Sequence, residues 1–245
     1  MPAELLCDKP DVSVWHATWE ELLPKVGDVD AVIVDAPYSK RTHAGHDEKA
    51  KVQNRNGDTD GFREIDYEAW DEKDVAAFVR AWEPKARSWF VTITDHVLVP
   101  AWEAELAAKG RYVFSPIAYI APRGPRVAGD GPAQWTTWII AARPKEKRFL
   151  GWGSLPGGYV LPHGFGGRPR VAGGKSQWLM DRLVEHYSRP GDLIADPCCG
   201  GGSTLLGALR TGRRAIGGDM KREHAEIAAA ACGAMVQRPM FMEGA

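Results

Sequence analysis

The chain has 245 residues, 44% hydrophobic and 26% charged, with a formal net charge of −1. That composition fits an α/β domain with its own core and excludes a protein that holds polyanions by global positive charge, so any nucleic-acid surface has to be a local patch. No apolar run reaches the length of a membrane span, the opening MPAELLCDKPDV has no apolar h-region, and Cys7, Cys198, Cys199 and Cys232 show neither zinc-ligand spacing nor a disulfide framework, so a reducing cytoplasm is the expected setting.

In chain order, VSVWHATWEELLPKV reads as a short strand from Val12 to Trp15 followed by a helical stretch through Leu22 and Leu23, and DAVIVDAP reads as a buried strand. Residues 39–66 are polar and rich in Gly, Asn, Asp and both charge signs, which suits a lid, a binding loop or a disordered segment. DEKDVAAFVRAWEPKA is helical, with Val75, Phe78, Val79 and Trp82 on one face and Asp71 or Asp74 as its cap. SWFVTIT is a buried strand, and VPAWEAELAAKG is a helix stopped at Gly110. YVFSPIAYIAP and QWTTWIIAARP are two more strands around a Gly/Pro turn region at 122–132, and residues 144–174 are irregular. SQWLMDRLVEHYS is a helix; GDLIADPCCGGGSTLLGALRTG is strand, glycine turn, helix; and RRAIGGDMKREHAEIAAAACGAM is strand, acid, helix. Alternating strands and helices predict one α/β domain over 1–245 with a mostly parallel sheet and helices on both faces.

Three strand ends carry the chemistry. Strand Leu193–Ala195 runs into Asp196, then Gly200, Gly201 and Gly202, with a helix opening at Ser203. The next strand ends in Asp219. Glycines admit a ligand close to the backbone, the helix start offers free N–H groups, and an acid about 20 residues on suits ribose hydroxyls. The alternative is a plain strand–helix turn with a solvated acid. The buried strand DAVIVDAP ends in Asp35-Ala36-Pro37-Tyr38: two acceptors for an amino group, a stiff turn and a flat stacking face, which together suit a planar amino-bearing ring.

These residues resemble the amino-methylating DNA methyltransferases, whose signature is (Asp/Asn/Ser)-Pro-Pro-(Tyr/Phe). DAPY matches at three positions, with Ala36 in place of the first proline. DPCCGGGST at 196–204 resembles that family's DPFxGSGTT segment, and KSQWLMDRLVEHYSRPGD follows its upstream helix layout with Ser176 where proline is usual. Catalytic motif first and glycine loop last is the circularly permuted order of the family's β-group. The resemblance implies a Rossmann-like, S-adenosylmethionine-dependent methyltransferase fold and methylation of adenine N6 in double-stranded DNA by a flipped-base mechanism. Cytosine N4 is the nearest alternative, and RNA or a protein amide a more distant one.

The resemblance also assigns roles. Asp35 and the Ala36 carbonyl accept the target amine, Pro37 stiffens the turn and Tyr38 stacks on the base. Asp196, Cys198, Gly200, Gly202, Ser203 and Thr204 hold the methionine end of S-adenosylmethionine, Asp219 binds its ribose, and His16 and Ala17 border its adenine. Lys175 is placed near the cofactor carboxylate, with a solvated lysine as the alternative. Lys40, Arg41 and Arg55 in the 39–66 loop, and Arg148, Arg168 and Arg170 in the small 144–174 target-recognition segment, are candidate DNA contacts, the last three within a basic cluster that includes Arg143, Lys145 and Lys147. Trp152, Tyr159 and Phe165 are either base-contacting wedges or a small core. His43, His46 and Asp47 invite a metal reading, but their loop supplies no further strong ligands and the chemistry requires no metal. A homodimer and a restriction endonuclease counterpart are both compatible with the family.

Overall fold

The computed structural model describes residues 2–44, 68–122, 134–146, 152–167 and 169–236. Among the described residues ten strands form one sheet: β1 (Glu4–Lys9), β2 (Val12–His16), β3 (Val29–Asp35), β4 (Ala86–Thr94), β5 (Tyr112–Val113), β6 (Ile117–Ile120), β7 (Thr136–Arg143), β8 (Gly158–Val160), β9 (Leu193–Asp196) and β10 (Arg214–Asp219). Their spatial order is β1-β2-β10-β9-β3-β4-β7-β6-β8, with β5 also paired to β7. The central five, β2, β10, β9, β3 and β4, are parallel. β1 folds back antiparallel on β2, and β7 runs antiparallel to β4, β5 and β6.

Helices that pack around the sheet among the described residues include α1 (Trp19–Leu22), α2 (Glu72–Trp82), α3 (Val99–Ala108), α4 (Gln177–Tyr187), α5 (Ser203–Arg210) and α6 (Arg222–Val236). Their starts are written locally. Thr18 and Glu21 form a capping box on α1, and Asp71 and Asp74 form another on α2, so both candidate caps act, one from each end of the box. Ser176 caps α4 by accepting from Leu179 N. Gly110, just past α3, has φ 82°, a left-handed conformation that glycine takes without a Cβ clash.

The two faces of the parallel strands build two cores. Ala31 and Ile33 of β3 pack with Leu179, Leu183, Leu205 and Ala228, from α4, α5 and α6. Val32 and Val34 pack with Leu22, Phe78, Trp102 and Leu106, from α1, α2 and α3. Phe78 centres the second core, 5.5 Å from Trp19, 5.2 Å from Trp70 and 5.9 Å from Trp102 by ring centroids. Edge-to-face ring pairs of this kind add to the stability gained by burial alone.

Three elements differ from the sequence expectation. β1 forms although only Cys7 along it is buried, too weak an alternation to mark a strand. β8 lies inside the 144–174 segment read as irregular; its three residues owe their extended form to the edge of β6. The single strand expected from Tyr112 is split into β5 and β6 around Pro116, whose missing N–H interrupts a ladder. No helix among the described residues is long and apolar enough to cross a membrane.

Candidate functional site

β3 and β9 are parallel neighbours, with Val32 opposite Ala195. From β3 the chain goes on to α2, on one face of the sheet, and from β9 to α5, on the other. Connections that diverge to opposite faces leave a crevice beyond the carboxyl ends of the strands between them. A cleft of about 520 Å³ opens there, bordered by Asp35 and Pro37 after β3, Asp196 to Gly201 after β9, Asp219 after β10, Lys175 before α4, and Trp19 and Trp70. The two motifs, some 160 residues apart in the chain, therefore face one space.

Asp35 accepts a hydrogen bond from Tyr38 OH at 3.2 Å on Oδ1 and from Lys175 Nζ at 2.9 Å on Oδ2. The same ammonium lies 4.7 Å from the centroid of the Tyr38 ring. Burial raises the Asp35 carboxyl above its ordinary value, and Lys175 and Tyr38 only partly offset it. Ala36 is buried, and Pro37 lies on the cleft wall.

The glycine turn is braced from β10. Gly200 N donates to Asp219 Oδ2 at 2.9 Å and Lys221 N to Asp219 Oδ1 at 2.9 Å. Gly200 and Gly202 have φ of 50° and 78°, where an L side chain would be strained. Asp196 is buried and accepts from Cys198 N at 3.1 Å. Burial first, then the Asp35 and Asp219 carboxylates, push Asp196 up to about 7 against hydrogen bonds from Thr204 and Cys198. Cys198, Ser203 and Thr204 border the cleft. Cys198 and its buried neighbour Cys199 have thiols raised well above the usual range by burial, so neither is a ready thiolate nucleophile.

Several sequence-derived positions sit elsewhere. His16 and Ala17 are buried and stitch β2 to the end of β10: His16 Nε2 is 3.2 Å from Met220 O, and Ala17 N donates to Asp219 O at 3.1 Å. The cleft wall is made by the residues that follow them, Thr18 to Glu20. Gly202 turns away to pack on α6, where an added Cβ would come within 2.9 Å of Ala228 Cβ. Lys175 is bonded to the Asp35 carboxylate rather than solvated.

The expected basic cluster is divided. Arg143 and Lys145 stand at the far end of β7, which runs antiparallel to β4, so they lie by the start of β4 and away from the cleft. There Arg143 stacks over Tyr112 and Phe114, 5.1 and 5.6 Å from their centroids. Arg170 is exposed at the cleft, 3.2 Å from Gln177 Oε1, and Lys40 and Arg41 are exposed beside Ser39. Arg55, Lys147, Arg148 and Arg168 lie outside the described residues, as do His46, Asp47 and most of the 39–66 loop. Among the described residues no group of His, Cys, Asp and Glu is placed to hold a metal. Trp152 and Tyr159 pack into the first core, Tyr159 OH lying 2.8 Å from His186 Nδ1. Phe165, 57% exposed, borders the cleft.

One anchor had no motif to announce it. Asp95, buried just past β4, accepts from Ser39 N at 2.9 Å, Thr42 Oγ1 at 2.6 Å, Val97 N at 3.0 Å and Leu98 N at 3.2 Å. Its only sequence signal is an acid between a strand and a helix. Trp70 N also donates to Tyr38 O at 3.0 Å, so the chain leaves for residues 45–67 and returns from them beside the DAPY turn.

Residues 167–230, which hold the glycine turn and Asp219, match the family described as DNA methylase, acting at N6 or N4. That segment is similar to the N6/N4 DNA methylases. The type II methyltransferase M2.DpnII of Streptococcus pneumoniae is 41% identical over 54 residues, which span 22% of this chain and 20% of that protein. The similar solved structures cover much more. M1.HpyAVI in complex with SAM superposes with a TM-score of 0.61 at 18% identity, over 90% of this chain and 99% of that one. TTHA0409 of Thermus thermophilus, complexed with S-adenosyl-L-methionine, gives 0.60 at 18% identity over 90% and 94%. The cytosine-N4-specific PvuII DNA methyltransferase gives 0.60 at 12% identity over 98% and 91%. The fold is that of the S-adenosylmethionine-dependent DNA methyltransferases.

Proposed function

We propose that the protein transfers a methyl group from S-adenosylmethionine to the N6 amino group of adenine in double-stranded DNA. The observation that carries the reading is that Asp35 and Pro37 of the DAPY turn face the Asp196–Gly201 turn across one cleft, with Tyr38 bonded to Asp35. The residues present fit the cofactor. The cleft is of small-molecule size, its glycine turn is free of side chains, and three carboxylates, Asp35, Asp196 and Asp219, surround it, the donor set a cationic sulfonium and ammonium would prefer. Asp219 suits the ribose hydroxyls, and the Asp196–Thr204 turn the methionine end. When bound, S-adenosylmethionine supplies an electrophilic methyl group.

The chain's own contribution is positioning and electrostatics. An exocyclic base amine is a poor nucleophile because its lone pair is delocalised into the ring. Asp35 and the Ala36 carbonyl accept its hydrogens and favour the pyramidal amine that can attack. Pro37 holds the turn, and Tyr38 offers its ring to a base taken out of the stack. Trp19 and Trp70, backed by the Phe78 core, give the cleft an apolar wall. Arg170, Lys40 and Arg41, all exposed, are the candidate phosphate contacts, and Phe165 the candidate contact for the opened duplex. On this reading the chain is one methyltransferase domain, with the 144–174 segment as the target-recognition part and a homodimer as a compatible assembly.

Aspartate at the first signature position supports adenine. The fold likeness to a cytosine-N4-specific enzyme supports cytosine as the second reading. Methylation of DNA in vitro with tritiated S-adenosylmethionine, followed by nucleoside separation, decides between them: label in N6-methyladenine supports the proposal, label in N4-methylcytosine replaces it, and no label with DNA of diverse sequence overturns both.

A further inference from the structure

Lys175 is held in place from both sides. Gly173, at φ 77°, and Gly174, packed 3.3 Å from Val171 O by its would-be Cβ, turn the chain into it. Ser176, after it, is fixed by capping α4 and by a 3.0 Å contact with Tyr119 OH. The side chain is only 11% exposed, and its ammonium donates to Asp35 Oδ2 and to Gly173 O, at 2.9 and 3.2 Å, while lying against the Tyr38 ring. A target amine bound for methyl transfer needs the same acceptor, and its ring needs the same aromatic face. One ammonium occupies both.

Resting on the reading of the site as an amine methyltransferase, we propose that Lys175 is a positioning residue that holds the target amine's place: its ammonium sits on Asp35 and against Tyr38 until the incoming base displaces it. Asp35 faces Tyr38 from its own turn, Lys175 from the approach to α4, and Asp196 from β9, with Asp219 beyond. Two of those are acids. Without a cation the desolvated Asp35 carboxyl would be protonated more readily, and a protonated acid no longer offers two acceptor oxygens to an amine. Lys175 thus keeps the acceptor charged and the ring oriented while the site is empty, and gives up its hydrogen bond to Asp35 when the amine arrives.

The test uses Lys175→Met, with Lys175→Gln as a second uncharged variant and Lys175→Arg as the conservative rescue. Carboxyl carbon NMR of the full chain, with the Asp35 signal assigned by Asp35→Asn, follows ionisation without DNA or cofactor. The Asp35 midpoint is expected to rise by about one to three pH units in the Met and Gln variants, the effect of losing an adjacent opposite charge, and to return in Lys175→Arg. The acid limb of the methyl-transfer rate profile should rise with it. Above that midpoint, DNA carrying 2-aminopurine at the target should show tighter base insertion by fluorescence in Lys175→Met, since no ammonium has to be displaced. An unmoved Asp35 midpoint in both uncharged variants, or weaker base insertion above it, overturns the proposal. Since the NMR titration needs neither substrate, failure of the wild-type protein to methylate DNA overturns the proposed function and leaves the role of Lys175 to be judged by the titration.

Discussion

Asp95 holds Ser39 through two hydrogen bonds, from the backbone N–H at 2.9 Å and from the side-chain hydroxyl at 2.5 Å. The pair joins the end of β4 to the residue that follows the DAPY turn, so the geometry of Tyr38 depends on a neighbouring strand. Burial would raise Asp95, but the hydroxyls of Ser39 and Thr42 and the backbone N–H groups outweigh it, and its carboxyl lies below the ordinary value. A group lowered on folding stabilises above its unfolded pKa, and the gain is lost as pH falls through the folded value. Asp95→Ala should cost about 2–3 kcal/mol at neutral pH, since it orphans donors to a charged acceptor. Denaturant melts of wild type and variant should show that difference shrinking below about pH 4. A difference that stays constant down to acid pH would mean that the charge is not what holds Ser39.

Gly202 closes the glycine turn in a left-handed conformation against Ala228. Gly202→Ala meets both objections, the backbone strain and a contact of 2.9 Å to Ala228 Cβ. A destabilisation of about 1–3 kcal/mol is expected, measured by thermal or denaturant unfolding. Opening the Ala228 side with Ala228→Gly should recover only the contact part, which separates the two causes.

Asp35→Ala should lower methyl transfer by about 10²–10³ or more, the usual cost of removing one group that stabilises the transition state. Cofactor affinity should change little, because Asp35 stands on β3 while the glycine turn is braced by Asp219. Asp35→Asn should be milder, since an amide oxygen still accepts a hydrogen bond. Tritiated methyl incorporation beside a cofactor titration reads both quantities. Wild-type turnover in Asp35→Ala would remove DAPY as the catalytic motif.

Asp196, raised to about 7, keeps its proton in the folded chain at pH values where the unfolded chain has lost it. Its contribution to stability is therefore fully present below the unfolded pKa and is lost as pH rises to about 7. A cationic ligand beside it favours the ionised form. Binding of S-adenosylmethionine should release protons near pH 6–7 and tighten toward pH 8, both effects diminished in Asp196→Asn. Calorimetry in two buffers of different ionisation enthalpy measures the proton count. Equal proton release in wild type and variant would place the linkage on another group.

Local chemistry was legible wherever a few adjacent residues decide the outcome. The α2 face of Val75, Phe78, Val79 and Trp82, its Asp71–Asp74 cap, the stop at Gly110 and the strand–glycine–helix unit after Asp196 are all short-range: periodicity, capping and left-handed backbone need only neighbours in the chain. β1 and β8 were not, because a partner strand supplies their order.

The amino-acid sequence by itself determined which residues end each strand: Asp35 to Tyr38 after β3, Asp196 and its glycines after β9, Asp219 after β10. Tertiary structure decided which of those ends meet. β3 and β9 became neighbours because their apolar faces, Val32 and Val34 on one side and Ile33 and Ala31 on the other, could be buried only by helices on opposite faces of the sheet, and that divergence opened the cleft between them. The same packing carried Arg143 and Lys145 to the far end of the antiparallel β7, although Arg170, 27 residues further on, stands at the cleft. It also laid Lys175 on an acid 140 residues away. A charge in a sequence has only a sign; its partner is fixed when the fold excludes the water that would otherwise solvate it.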